Sequence, residues 1–214
     1  ASTTGTSSAE RVEGMVRNAL AGIVAAKACG IQNPRVGILN VDGARQAEMA
    51  LQQLKAGGYA FEWACSSRSE GGAVMRGNDV LQGTPDVLVT DSLTGNVLVK
   101  MLSAHTTGGN FEAAGFAYGP GLGKDYEKLI LIISRASGAP VIANALEYAG
   151  ALVRGDVFRI AREEFAKAER AGLNEILAAR KAARPVEAEA VQAPPRELCT
   201  ASIAGSAASG MGGG

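Results

Sequence analysis

Three cysteines, one histidine and one tryptophan are scattered through 214 residues, and each scarcity removes a class of function. A lone His105 cannot share a metal with a second imidazole. Cys29, Cys65 and Cys199 show no CxxC spacing, so they form neither a disulfide framework nor a zinc site and read as reduced thiols of a cytoplasmic protein. Charge of one sign is missing too: Lys+Arg and Asp+Glu both total 21. That balance leaves no electrostatic footprint for nucleic acid or an anionic membrane. Long hydrophobic runs are absent, the most apolar being Leu129 to Ile133, far short of the roughly 20 residues a membrane-spanning helix needs. A soluble protein is expected. Ala1 to Ser8 contains no basic stretch leading into an apolar one, so no secretory signal is read there, and the missing initiator Met points to a cleaved or truncated chain.

What is present is a rhythm of helix and strand signals, in a chain long enough to bury a substantial core. Ser7 and Glu10 have capping-box spacing, and Val12, Met15, Val16, Leu20, Ile23 and Val24 recur at helical intervals up to Gly30. After Asn33-Pro34, residues 35–41 are an apolar run of strand length. A second helix carries Ala47, Ala50, Leu51 and Leu54 on one face and stops at Gly57-Gly58. Residues 59–64 read as a strand, 66–77 as a polar loop, 86–90 as a buried strand, and Gly95 to about Leu102 as a helix. Glycines crowd residues 103–128, which predicts a long loop or flap. The apolar run at 129–133 and the stretch Pro140 to Ala143 read as two further strands buried on both faces. Residues 156–183 predict an amphipathic helix or helix pair kinked at Gly172. Beyond Arg184-Pro185, alanine, glutamate, proline and glycine predict a flexible tail. The expectation is a three-layer α/β/α domain with a mostly parallel sheet over 1–183, followed by a cysteine-containing tail over 184–214.

Chemistry concentrates where the strand at 86–90 ends. Asp91 and Ser92 occupy the turn, Thr94 stands where an N-cap would open the next helix, and Gly95 lets an anion approach the backbone. Thr94 and Asn96 add side-chain donors beside unpaired helix N–H groups, an arrangement suited to phosphate. An ordinary capped turn has the same spacing. Other motifs fail on inspection. Gly119 to Lys124 imitates a phosphate loop, but that pattern needs glycine at Tyr118 and serine or threonine at Asp125. Nor do these glycines have dinucleotide-binding spacing, so neither a cofactor nor a metal is expected. His105 reads as a bland loop residue. Cys29 and Cys65 end regular elements and read as small packing residues. Cys199 stands in the tail near Arg196, whose charge favours the reactive thiolate, although spacing alone fits an incidental tail cysteine better.

Val36-Gly-Ile-Leu-Asn-Val-Asp-Gly43 and, more specifically, Thr90-Asp-Ser-Leu-Thr-Gly-Asn-Val-Leu-Val-Lys100 resemble consecutive signature segments of the phosphate acyltransferase (PlsX) superfamily. Gly138-Ala-Pro-Val-Ile-Ala-Asn-Ala-Leu-Glu-Tyr-Ala-Gly150 and the late Cys199 are more similar to the component C alpha branch of glycine/sarcosine/betaine reductase complexes. The resemblance runs from about Val36 to Ala151, and the superfamily's N-terminal segment has no counterpart here. It implies an isopropylmalate-dehydrogenase-like fold and acyl-phosphate chemistry. Cys199 would take an acetyl group from the selenoprotein component A and pass it to phosphate, with the component C beta subunit as partner in a homo- or hetero-oligomer. It also implies that Asp91, Ser92, Thr94, Gly95, Asn96 and Lys100 orient phosphate, with Asn40, Asn144 and Glu147 as lesser site residues. Two alternatives stay open. One is a phosphate acyltransferase using acyl carrier protein or coenzyme A, in which Cys199 is dispensable. The other is a non-catalytic module that docks through a helical arm at 156–183.

Overall fold

The computed structural model describes residues 10–68 and 72–182; the expected boundary at 183, the tail and Cys199 lie outside them. Helix α1 (Arg11–Ala28) has the apolar spacing foreseen, with Met15, Val16, Ala19, Leu20 and Ile23 buried on one side. Its cap is Glu10, whose carboxylate accepts the Glu13 N–H at 3.0 Å, and Ser7 falls outside the described residues. The chain then enters β1 (Arg35–Leu39), whose Val36 and Ile38 are fully buried. Helix α2 (Ala44–Ala56) follows, opened by Gly43 at φ 87°. Tyr59 leads to β2 (Glu62–Trp63), then come β3 (Val74–Met75), the short α3 (Gly77–Leu81), β4 (Val87–Val89) and α4 (Ser92–Ala104). The described chain closes with α5 (Ala139–Arg154), α6 (Val157–Arg170) and α7 (Leu173–Ala182).

Strand β1 is the hub. It pairs in parallel with β2 (Val36 opposite Trp63), with β3 (Ile38 opposite Val74) and with β4 (Val36 opposite Val87). Its register on β4 is clamped at one end. Arg35 donates its N–H to the Asp86 carboxylate at 2.8 Å, its guanidinium reaches both oxygens of the same group, and Asp86 N–H returns a bond to the Arg35 carbonyl at 2.9 Å. Parallel strands need crossover connections, and helices supply them. The fold is therefore α/β with a parallel sheet, as the sequence predicts.

One core joins α1, β1, α2, β4 and the α6–α7 pair through Leu20, Ile38, Leu51, Leu54, Val89, Ala168 and Leu173. A smaller cluster of Val24, Ala28, Leu152, Val157 and Ala161 ties α5 and α6 to α1. Within this apolar body lies one buried carboxylate. Glu164 accepts hydrogen bonds from Tyr59 Oη at 2.8 Å and Lys167 Nζ at 2.8 Å, and pairs with Lys27 Nζ at 3.0 Å. Burial pushes the Glu164 carboxyl upward, but bonds from Lys167, Lys27 and Tyr59 outweigh it and hold the group below its ordinary range. The Tyr59 hydroxyl is driven up by the same burial and the adjacent carboxylate.

Four expectations are corrected. Residues 129–133 form no strand; Ile132 makes a single antiparallel bridge with Tyr118, and Ile130, Ile132 and Ile133 remain exposed. Pro140 to Ala143 is the first turn of α5. Proline is tolerated there because that N–H has no helical partner, and Val141, Ala145 and Leu152 continue at helical spacing. The loop at 66–77 holds β3, pinned by Asp79, whose carboxylate accepts the Ser67 and Arg76 N–H groups and sits at about 2 for that reason. Helix α4 begins at Ser92, three residues before Gly95. The expected pair at 156–183 is seen as α6 and α7, with Gly172 at φ 91° between them.

Candidate functional site

A cavity of about 320 Å³ opens between α1, β4 and the start of α4. Its walls come from distant parts of the chain: Asn18 and Gly22 of α1, Cys29 just past it, residues Asp86 to Ser92 around β4, Gly95 of α4, Gly119-Pro120, and Tyr148 of α5. Gly22 is required by the approach of α1 to the strand, since a Cβ there would lie 2.5 Å from Val87 Cγ1. Gly95 keeps α4 close to the strand exit in the same way, because an added Cβ would sit 3.1 Å from Thr90 Cγ2. The cavity thus runs along β4 from Asp86 to the turn at the strand's carboxyl end, the end at which open α/β sheets bind their ligands.

The helix start differs in detail from expectation. Asp91, not Thr94, is the N-cap: its Oδ1 accepts the Leu93 and Thr94 N–H groups, each at 3.1 Å, and its carbonyl accepts the Gly95 N–H at 3.0 Å. Asp91 is nearest the strand exit, so the helix winds up as soon as a capping oxygen is available. Burial raises the Asp91 carboxyl, while the bonds from Thr94 and Leu93 and the charge of Arg11 bring it below its ordinary value. An anion approaching this turn therefore meets a carboxylate already holding two amides. Asp91, Ser92 and Gly95 line the cavity; Thr94 does not.

Three other expected residues belong to a second assembly. Lys100 Nζ pairs with Glu112 Oε1 at 2.8 Å and stands 5.4 Å from the centre of the Tyr118 ring. Glu112 is 3 % exposed and also accepts Ser134 Oγ at 2.8 Å and Ser137 Oγ at 3.1 Å. The Glu112 carboxyl is raised by burial, but the bonds from Lys100, Ser134 and Ser137 prevail and lower it; in return its bond raises Lys100. Asn96 accepts the Tyr118 hydroxyl at 3.3 Å, and Asn144 Nδ2 donates to the Gly115 carbonyl at 3.1 Å. Asn96, Lys100 and Asn144 thus tie the irregular segment 109–138 to α4 and α5. Asn40 is exposed just past β1, its N–H bonded to the Met75 carbonyl at 2.9 Å, and exposed Glu147 lies in an open depression beside Leu146 and Arg154.

Sequence reasoning missed Cys29, Tyr148 and Thr90 as cavity residues. Cys29 and Cys65 are both exposed, which corrects their reading as packing residues. Partial burial pushes the Cys29 thiol up, away from the nucleophilic thiolate. Tyr148, half-buried against the same wall, is pushed up to about 12 by that burial and the neighbouring Cys29. His105 sits exposed in a single 3₁₀ turn after α4. Among the described residues no group of three or more His, Cys, Asp or Glu side chains could hold a metal, and no helix is long and apolar enough to cross a membrane.

Residues 1–206 match the family described as fatty acid synthesis protein. The chain is 54% identical over 207 residues to a glycine/sarcosine/betaine reductase complex component C subunit alpha from Peptoclostridium acidaminophilum, an alignment covering 96% of this chain and 54% of that one. It is 40% identical over 85 residues to a phosphate acyltransferase of Bacillus anthracis, covering 37% of this chain and 23% of the relative. A phosphate acyltransferase of Phenylobacterium zucineum is 33% identical over 95 residues, covering 42% and 23%. The chain therefore spans about half the length of the reductase subunit it matches. No solved structure matches it.

Proposed function

Since the chain belongs to the fatty acid synthesis protein family, we propose that it is the acyl-transfer portion of a glycine/sarcosine/betaine reductase complex, forming acetyl phosphate from an enzyme-bound acetyl thioester and phosphate. The observation that carries this reading is the identity of 54% across 96% of the chain with a component C alpha subunit. In the proposed step a phosphate oxygen attacks the thioester carbonyl carbon. The C–O bond forms as the C–S bond breaks, and the Cys199 sulfur leaves as thiolate. A thioester is already activated, so the protein's contribution is to position phosphate and stabilise charge. The cavity supports that role through Ser92 at the first helical position and Gly95 in the first turn, both of which line it. The remaining members of the proposal are residues 1–183 as the α/β body, 184–214 as the thiol-bearing tail, a cytoplasmic setting, and the component C beta subunit and selenoprotein component A as partners.

Cys199→Ser in the full-length subunit, reconstituted with its partner components, is the test. Loss of acetyl phosphate formation, together with an acetyl thioester found on Cys199 of the unaltered protein, supports the covalent step. Formation at the unaltered rate moves the reading to a phosphate acyltransferase that draws its acyl group from acyl carrier protein or coenzyme A. The 40% identity over 85 residues to a phosphate acyltransferase favours that second reading.

A further inference from the structure

We propose that Tyr148 sets the length of the acyl group the cavity takes, its ring closing the cavity at the end away from Asp91. The inference rests on reading the cavity as the acyl phosphate site and adds a specificity-determining residue to it. The wall on the α1 side is one helical face, since Asn18, Ala21, Gly22, Ala25, Ala26 and Cys29 stand at helical spacing. Between Asn18 and Cys29 the face carries only alanine and glycine, so no side chain of α1 fills the space, and the helix rises about 16 Å between those two residues. Helix α1 runs antiparallel to β4: the Arg11 charge acts on Asp91 beyond the strand's carboxyl end, and Gly22 faces Val87 at the strand's start. Cys29 therefore lies at the opposite end of the cavity from Asp91 and Ser92. Tyr148 stands beside it, close enough for the thiol to act on the tyrosine hydroxyl.

The two ends differ in chemistry. Asn18, Asp91 and Ser92 make one end polar, while Ala25, Ala26, Ile31 and Val87 form the wall toward the other. Asp86, the charged wall residue there, has both carboxylate oxygens bonded to the Arg35 guanidinium. An elongated space with one polar and one apolar end suits an acyl chain with its activated head, because apolar walls bind methylene groups by taking them out of water. An acetyl group uses little of that length, so the site admits longer acyl groups as far as the partition. A second, open depression of about 530 Å³ lies past it, lined by Phe116, Leu146 and Ala151, and among the described residues the two spaces share only Cys29 and Tyr148 as wall. Cys29 is too small to divide them. The Tyr148 ring meets Phe116 edge-on, with centres 6.3 Å apart and planes at 71°, and packs against the cluster of Val24, Ala28 and Leu152. Held on two sides, it is a fixed wall between the 320 Å³ cavity and the depression.

The test titrates straight-chain carboxylates from acetate to decanoate into the full chain, followed through the amide resonances of Ala25 and Cys29. In the unaltered protein each added methylene is expected to tighten binding about fourfold, the worth of one buried CH₂, up to a chain length at which the gain stops. Tyr148→Ala and Tyr148→Leu should move that break to longer chains. Tyr148→Phe keeps the ring and should leave the break in place. Tyr148→Leu retains apolar packing on Leu152, so it carries the comparison if Tyr148→Ala does not fold. If the break exists and neither shortened variant moves it, the Tyr148 inference falls and the acyl cavity stands. A gain that continues without a break in the unaltered protein, or a break that moves in Tyr148→Phe, also overturns the inference. If no carboxylate shifts Ala25 or Cys29, the cavity takes no acyl group and the inference goes with it. None of these readouts involves Cys199, so they are separate from the test of acetyl phosphate formation.

Discussion

Two buried glutamates organise two different kinds of structure. Glu164 lies inside the apolar body, its three donors coming from α1, α6 and the approach to β2, elements that share one hydrophobic core. Glu112 lies within segment 109–138, which among the described residues contains no helix or strand and only two isolated bridges. Around it the apolar side chains face outward: Met101 is 66 % exposed, Phe116 56 % and Ile132 42 %. In the first region a carboxylate adds direction to a structure already held by hydrophobic burial. In the second it substitutes for a core, gathering Lys100 of α4 and the Ser134–Ser137 turn onto one point. Polar networks of this kind have a fixed geometry and little redundancy. The first region should therefore fail as a whole and the second locally.

The largest expected effect is in the body. Leu54→Ala removes a fully buried side chain and should cost about 3 kcal/mol, seen as a single cooperative shift in urea unfolding. A two-step transition for that variant would break the picture of one core. Glu112→Gln should cost about 1 kcal/mol globally, because Lys100 is 42% exposed and water screens the pair. Its main effect should be local, with limited proteolysis cutting inside 109–138 sooner than in the unaltered protein. Cleavage at α2 or α6 instead would mean that the two regions are not separable.

The smallest effect comes from acid. The Glu112 and Glu164 carboxyls are both lowered in the folded state. Each therefore contributes stability that is fully present above the ordinary glutamate value of about 4.3 and is lost as pH falls through the lowered folded value. Hydrogen exchange as pH is lowered from about 5 to about 3, through that ordinary value, should show 109–138 opening first, since the body retains its apolar core when Glu164 is neutralised. Simultaneous opening of both regions would remove the distinction.

The same division decides what is legible in the sequence. Helices α1, α2, α6 and α7 can be read because each displays an apolar face against one core, and β1 and β4 because they are short apolar runs between breakers. The run at 129–133 has equal strand character, yet a strand needs a neighbour, and pairing is a tertiary fact that β-propensity does not contain. Residues 140–143 mislead for the opposite reason: four apolar residues fit either period, and only Ala145 and Leu152 further along settle it. At the site, Asp91, Ser92 and Gly95 are visible because they are close together in the chain. Which of Asp91 and Thr94 caps the helix is not, since both are good capping residues. Cys29 and Tyr148 reach the cavity from positions more than a hundred residues apart in the chain, and Lys100 meets Glu112 across a loop with no period. No local pattern announces such contacts.

The hub position of β1 has a consequence for how the chain acquires its shape. Each of its three partners is brought back from later sequence, and the Arg35–Asp86 clamp closes across 51 residues. Its pairings are all parallel, so no hairpin starts them, and the nucleus of the sheet is built from long-range meetings, a topology associated with slow folding. During synthesis β1 emerges before all three of these partners and waits. It has its first partner only when β2 appears and its last when β4 leaves the ribosome, and until then Val36 and Ile38 depend on α1 and α2 for shelter.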